Sequence, residues 1–275
     1  MMKMLRSSAV LLTLLSTAAL AHADGGKSQL TWYGHAAFKL VTPAGKVLFI
    51  DPWISNPTNP DGAKQVAAID KADLILISHG HSDHVGDAIA IAKKTKAQLV
   101  SSFDLGNALV HDGGFPAAQY SMMTGGNAGG ELTLLDGEVS IAFIPAIHSS
   151  TVASNAGTPQ EKSNYGGAAG GFLISVKNGP TIYHTGDTDL FGDMALVAKF
   201  HKVDYMLACI GGHFTMGPAR AAEAAKLVGA TTIIPMHFGT FPVLTGTPDA
   251  LGKALKAAHA KTQLHAMKIG ETLAL

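Results

Sequence analysis

The stretch Leu74-Ile75-Leu76-Ile77-Ser78-His79-Gly80-His81-Ser82-Asp83-His84 decides how this chain is read. Four apolar residues in a row, without polar alternation, read as a short strand buried on both faces. The run leads directly into three histidines and one aspartate within six residues. Neutral imidazole and carboxylate are the usual ligands of catalytic zinc and related divalent ions. Residues two apart in extended chain project to the same side, so His79 and His81 can converge on one ion. Asp83 and His84, where the chain turns, can face a second.

Three further candidates repeat this logic. His148 follows the apolar run 141–144, Asp187 follows 181–184, and His237 follows 232–235. Each lies a few residues beyond a strand-like segment. In open α/β sheets, sites gather in the crevice beyond the carboxyl ends of strands. Four strands delivering ligand residues to one edge therefore describe one site.

The rest of the chain supports such a frame. Strand patterns occur at 30–33, 38–41, 47–50, 74–77, 98–101, 131–135, 139–144, 172–176, 181–184, 205–208 and 232–235. Helical patterns fall at 88–96, 105–112, 193–202, 218–228 and 248–260. Pro218 and Pro248 suit first-turn positions and Thr247 suits an N-cap. This order predicts a layered α/β fold with mixed sheets inside and helices on both outer faces. Residues 124–130 read as a loop. Residues 149–171 are small, polar and aperiodic; they read as a structureless segment, either a cover over the substrate or a surface excursion.

With these segments on the page, the chain resembles the metallo-β-lactamase fold hydrolases. HxHxDH, a later His, an Asp after Gly and a last His match that family's ligand segments in order. Tyr33-Gly34-His35-Ala36-Ala37-Phe38, Asp51-Pro52-Trp53, Tyr183-His184-Thr185-Gly186-Asp187-Thr188 and Pro235-Met236-His237-Phe238 resemble a narrower branch of metal-dependent hydrolases. That branch is similar to ascorbate-6-phosphate lactonase and to the phospholipase D acting on N-acylphosphatidylethanolamine. The resemblance implies a four-layer αββα sandwich. It assigns His79, His81 and His148 to a first metal, and Asp83, His84 and His237 to a second, with Asp187 bridging both. The implied cofactors are two divalent ions, zinc first and manganese as the alternative. A hydroxide shared by the metals would attack, with Asp83 or Asp187 as the catalytic carboxylate that orients it. Metallo-β-lactamases proper lack the bridging aspartate, so Asp187 moves the expectation from β-lactams to a lactone or other carboxylic ester. The alternatives are a phosphodiesterase of the same fold and a catalytically silent metal-binding protein.

Other residues carry weaker signals. His35, in a Gly-His-Ala turn, reads as a substrate contact or as a structural residue. His213 reads as a substrate-polarising group or as a plain loop histidine. Asp51 is placed to orient a ligating histidine, and His184 to pack at a strand end. Cys209, the one cysteine, excludes an internal disulfide and reads as a buried small hydrophobe. No G-x-S-x-G nucleophile elbow exists.

Composition bounds the partners. The 275 residues are 47% hydrophobic, with 20 basic and 20 acidic side chains and no basic run. Nothing here offers the electrostatic footprint of a nucleic-acid binder, and a small-molecule substrate is expected. Residues 1–23 read as a signal peptide, with Lys3 and Arg6 before the apolar stretch 9–20 and Ala21-His22-Ala23 as the cleavage site. The hydrolase domain is then 24–275, periplasmic or secreted, with no stable membrane insertion after cleavage.

Overall fold

The computed structural model describes residues 26–275. The expected signal segment lies outside the described residues.

Two seven-stranded sheets form the body. The first runs, in spatial order, Thr272–Ala274, Gln29–Trp32, Phe38–Val41, Val47–Ile50, Leu74–Leu76, Gln98–Ser102 and Gly125–Gly126. The second runs Gln263–Leu264, Thr232–Met236, Tyr205–Cys209, Thr181–His184, Gly170–Val176, Val139–Pro145 and Glu131–Leu134. In each sheet four neighbouring strands from one edge pair antiparallel and the pairings beyond them are parallel. The expected α/β sandwich with mixed sheets is what the chain forms.

The layers follow from alternation along the central strands. Leu48, Ile50, Leu74, Leu76 and Val100 join a core that also contains Ile141, Phe143, Phe172 and Ile174 of the second sheet. Phe49, Ile75, Ile77 and Leu99 belong instead to a second cluster with Ile91, Leu105 and Leu109 of the helices Ala88–Thr95 and Phe103–His111. The run 74–77 is thus apolar throughout because both of its faces are covered. Outside the second sheet lie helices Met194–Phe200, Pro218–Val228 and Pro248–Ala257, whose Val197, Ala225 and Leu251 are buried. Pro218 and Pro248 occupy first-turn positions, and the Thr247 hydroxyl accepts the Ala250 N–H as an N-cap. Among the described residues, no helix is long and apolar enough to cross a membrane.

Two loop expectations are overturned. Within 124–130, Gly125–Gly126 pairs in parallel with Ser101–Ser102. Residues 149–171 are not structureless: Thr151–Ser154 and Lys162–Tyr165 pair as an antiparallel ribbon, with Thr151 opposite Tyr165. Only Val152 of its first strand is buried, which is why no apolar alternation announces it. The short helices Gly62–Ala68 and Ser82–Val85 also lack a legible period.

Candidate metal centre

The ligand candidates come from four strand ends. His79 and His81 follow Leu74–Leu76, and the chain then turns into the helical segment Ser82–Val85, which carries Asp83 and His84. His148 follows Val139–Pro145, Asp187 follows Thr181–His184, and His237 directly follows Thr232–Met236. Backbone geometry tightens the last two. Gly186 has φ +58, and a Cβ there would collide with the Gly170 carbonyl oxygen, so only glycine delivers Asp187 at this depth. His237 itself has φ +55, held by its N–H donating to the His35 carbonyl at 3.0 Å.

These side chains converge. Nε2 of His79 and Nδ1 of His81 are 3.0 Å apart, and Nε2 of His148 is 3.3 Å from that same Nδ1. Asp187 stands between this trio and a second group. Its Oδ2 lies 4.0 Å from His79 Nε2, 3.7 Å from His148 Nε2 and 2.9 Å from His237 Nε2; its Oδ1 lies 3.3 Å from His84 Nε2. Asp83 Oδ2 lies 3.7 Å from His237 Nε2. Tetrahedral ligands at bonds of about 2.0–2.1 Å would be separated by roughly 3.4 Å, so these spacings suit ligand atoms around shared ions.

The surrounding hydrogen bonds fix which nitrogens face inward. Asp51, fully buried with φ +44, accepts the Ser78 N–H at 2.8 Å, the Ser78 hydroxyl at 2.6 Å and His84 Nδ1–H at 2.7 Å. With its proton committed to Asp51, the Ser78 hydroxyl accepts from His79 Nδ1–H at 3.0 Å. With Nδ1–H committed, both histidines turn Nε2 to the centre, the nitrogen that a ligating imidazole would use here. His84 Nε2, Asp187 Oδ1 and both ring nitrogens of His237 are buried and make no well-aligned hydrogen bond, although three of these atoms face one another or the other Asp187 oxygen across the centre. Orphaned lone pairs on buried imidazoles and a carboxylate fit divalent cations, since such groups otherwise cost about 1–3 kcal/mol each.

The electrostatics make the same demand. Burial opposes ionisation of Asp187, but His84 and His237 outweigh it and hold the carboxyl well below its ordinary range. Burial similarly opposes ionisation of Asp83, and the neighbouring imidazoles of His237 and His35 overcome it. Against their own burial, the Asp187 charge pulls His84 well above its ordinary value and His237 to about 9. Buried negative charge calls for positive charge here, which bound cations or protons can meet. His79, His81 and His148 are lowered, first by burial, and so stand as neutral imidazoles able to ligate a metal.

The remaining candidates separate. His35 is 1% exposed and does not line the cavity, which favours its structural reading over a substrate contact. Burial lowers it to about 4, so it is neutral; Nε2–H donates to Asp83 Oδ2 at 3.0 Å, while Nδ1 accepts from the Thr240 hydroxyl at 2.8 Å. It positions Asp83. His213 is exposed beside the cavity but does not line it; its neighbour Phe214 does. His184 packs at its strand end, with Nδ1 accepting the Gly186 N–H at 3.1 Å. Cys209 is fully buried and its thiol is pushed up to about 11 by burial, which leaves it inert. Sequence reading passed over Thr240 and Phe241, which no motif marks.

In front of the ligands opens a cavity of about 650 Å³, bordered by the ribbon at Thr151, Ala153 and Ser163 and by Phe214 and Phe241. The ribbon thus borders the cavity as ordered β-structure.

Known proteins share this architecture. Residues 46–238 match the family model described as a beta-lactamase superfamily domain. A UPF0173 metal-dependent hydrolase of Thermodesulfovibrio yellowstonii is 51% identical over 265 residues, 96% of this chain and 98% of its own. One from Anaeromyxobacter dehalogenans is 54% identical over 232 residues, 84% and 82% of the two chains. Igni18, a metallo hydrolase from the archaeon Ignicoccus hospitalis, superposes with a TM-score of 0.75 at 33% identity, covering 90% of this chain and 97% of its own.

Proposed function

This chain belongs to the UPF0173 metal-dependent hydrolases of the beta-lactamase superfamily, and from that premise we propose a two-metal hydrolase acting on a lactone or other carboxylic ester. His79, His81 and His148 would hold one ion, and Asp83, His84 and His237 the other. The ions are zinc, with manganese as the alternative, given a donor set of imidazole and carboxylate. The observation that carries this reading is the place of Asp187, whose two oxygens lie within 4.0 Å of imidazoles from both groups.

Divalent ions held here would supply a water nucleophile ionised near neutral pH and would polarise the electrophilic oxygen. The chain's own residues do the rest. Asp51 and Ser78 set the tautomers of His79 and His84. His35 fixes one oxygen of Asp83, leaving Oδ1 to orient the attacking water and take its proton. The ribbon and the two phenylalanines confine the substrate against these groups. Residues 1–23 support export as part of the same proposal, with the work done in the periplasm or outside the cell.

A panel of lactones, carboxylic esters and bis-nitrophenyl phosphate tests this reading. Turnover of esters or lactones, abolished by chelation and reduced about 10²–10³-fold in His81→Ala, is expected. Phosphodiester turnover alone would favour the phosphodiesterase alternative. Tight metal binding with no turnover of any compound would favour a catalytically silent metal-binding protein.

A further inference from the structure

The walls of the cavity differ sharply from its floor. The floor is imidazole and carboxylate, whereas the walls include Phe214, Phe241, Ala153 and Ala156, and among the described residues no lysine or arginine lines the space. Phe214 is 59% and Phe241 37% exposed, large apolar side chains left in water at the mouth. Phe241 is also pre-positioned. Its ring stacks on Trp53 at 5.9 Å between centroids and meets the edge of His35 at 5.9 Å. An apolar wall held ready in this way marks a binding surface rather than a fold requirement.

The charged residues complete the pattern. Histidines aside, the only formal charges lining the cavity among the described residues are the carboxylates of Asp83, Asp187 and Glu161. Glu161 is anchored at the ribbon tip, where it accepts the Gly157 N–H at 2.7 Å. Away from the metal positions, an anionic group on the non-reacting end of a substrate would lose water, find no lysine or arginine along the described walls and face the Glu161 carboxylate.

We propose that this site takes a carbonyl substrate whose non-reacting part is apolar and uncharged, packed against Phe214, Phe241, Ala153 and Ala156. This rests on the hydrolase reading above and names its substrate class. It separates the chain from the phosphorylated lactone that its resemblance would suggest, because a phosphate distant from the reacting bond has no partner.

The test compares nitrophenyl hexanoate with nitrophenyl hydrogen adipate, which differ by a methyl against a carboxylate at the end of the acyl chain. The full-length, metal-loaded protein is expected to prefer the hexanoate by about 30-fold or more in kcat/KM. Phe214→Ala, at an exposed site that the fold does not need, lowers the hexanoate value about tenfold and the acetate ester by a smaller factor. Glu161→Lys narrows the gap by raising adipate turnover. Equal or better turnover of the adipate, or an equal loss on hexanoate and acetate in Phe214→Ala, overturns the proposal. If no ester is turned over, calorimetry with hexanohydroxamate and adipic monohydroxamate reads the pocket independently. Tighter binding of the hexanohydroxamate then keeps the apolar pocket while the esterase reading fails; equal binding overturns both.

Discussion

Replacing Asp187 with asparagine is expected to lower kcat/KM about 10³-fold and to reduce the bound metal from two ions per chain to one or none. The substitution preserves shape, so the effect is chemical. Asp187 is 2% exposed, and its oxygens face His84 Nε2 at 3.3 Å and His237 Nε2 at 2.9 Å. An amide removes one negative charge from the point where both ligand groups meet. It also turns a donor NH₂ toward imidazole lone pairs or toward a cation. No other described side chain stands between the two groups to replace it. Metal analysis beside steady-state kinetics checks this outcome. Two retained ions with activity within tenfold of the parent would mean that Asp187 bridges nothing.

Asp51→Asn is expected to weaken metal binding 10–100-fold and to destabilise the metal-free fold by about 2 kcal/mol, although Asp51 touches no metal position. Asparagine tolerates the positive φ of 44 found there, so the backbone stays in place. Its oxygen can still accept the Ser78 N–H. Its NH₂, replacing Oδ2, opposes two donors at once, the Ser78 hydroxyl and His84 Nδ1–H. The Ser78 hydroxyl must then rotate to accept from the amide and donate to His79 Nδ1. That moves the His79 proton to Nε2, the nitrogen that faces the centre, and His84 is driven the same way. Denaturant titration of the chelated protein and competition with a chromophoric chelator measure the two effects. Unchanged metal affinity would show that these tautomers are set elsewhere.

Much of this was legible because each ligand segment follows an apolar strand. A buried strand must be apolar on both faces, and polar residues at its end then stand out, as at His79, Asp187 and His237. Asp51 was readable for the same reason, since it ends the strand Val47–Ile50. His35 was not. Its enclosure depends on Gly34 and His35 both taking positive φ and on Phe241 and Thr240 arriving from a loop two hundred residues away in sequence. No local pattern encodes such a contact. The ribbon failed for a different reason: its strands bury one apolar residue between them and are held by pairing, which hydrophobic periodicity does not register. His213 fell one position short of the residue that matters, because a histidine attracts attention that an exposed phenylalanine does not.

The stability of the centre and its chemistry rest on one arrangement, two ligand groups sharing a buried carboxylate. The measurement that tests it most directly is the metal content of the purified full-length chain, taken with ester turnover before and after chelation. The account predicts two divalent ions per chain, loss of turnover on their removal and its return when zinc or manganese is restored. Fewer than one ion per chain in active protein, or turnover that survives complete removal of metal, would contradict it.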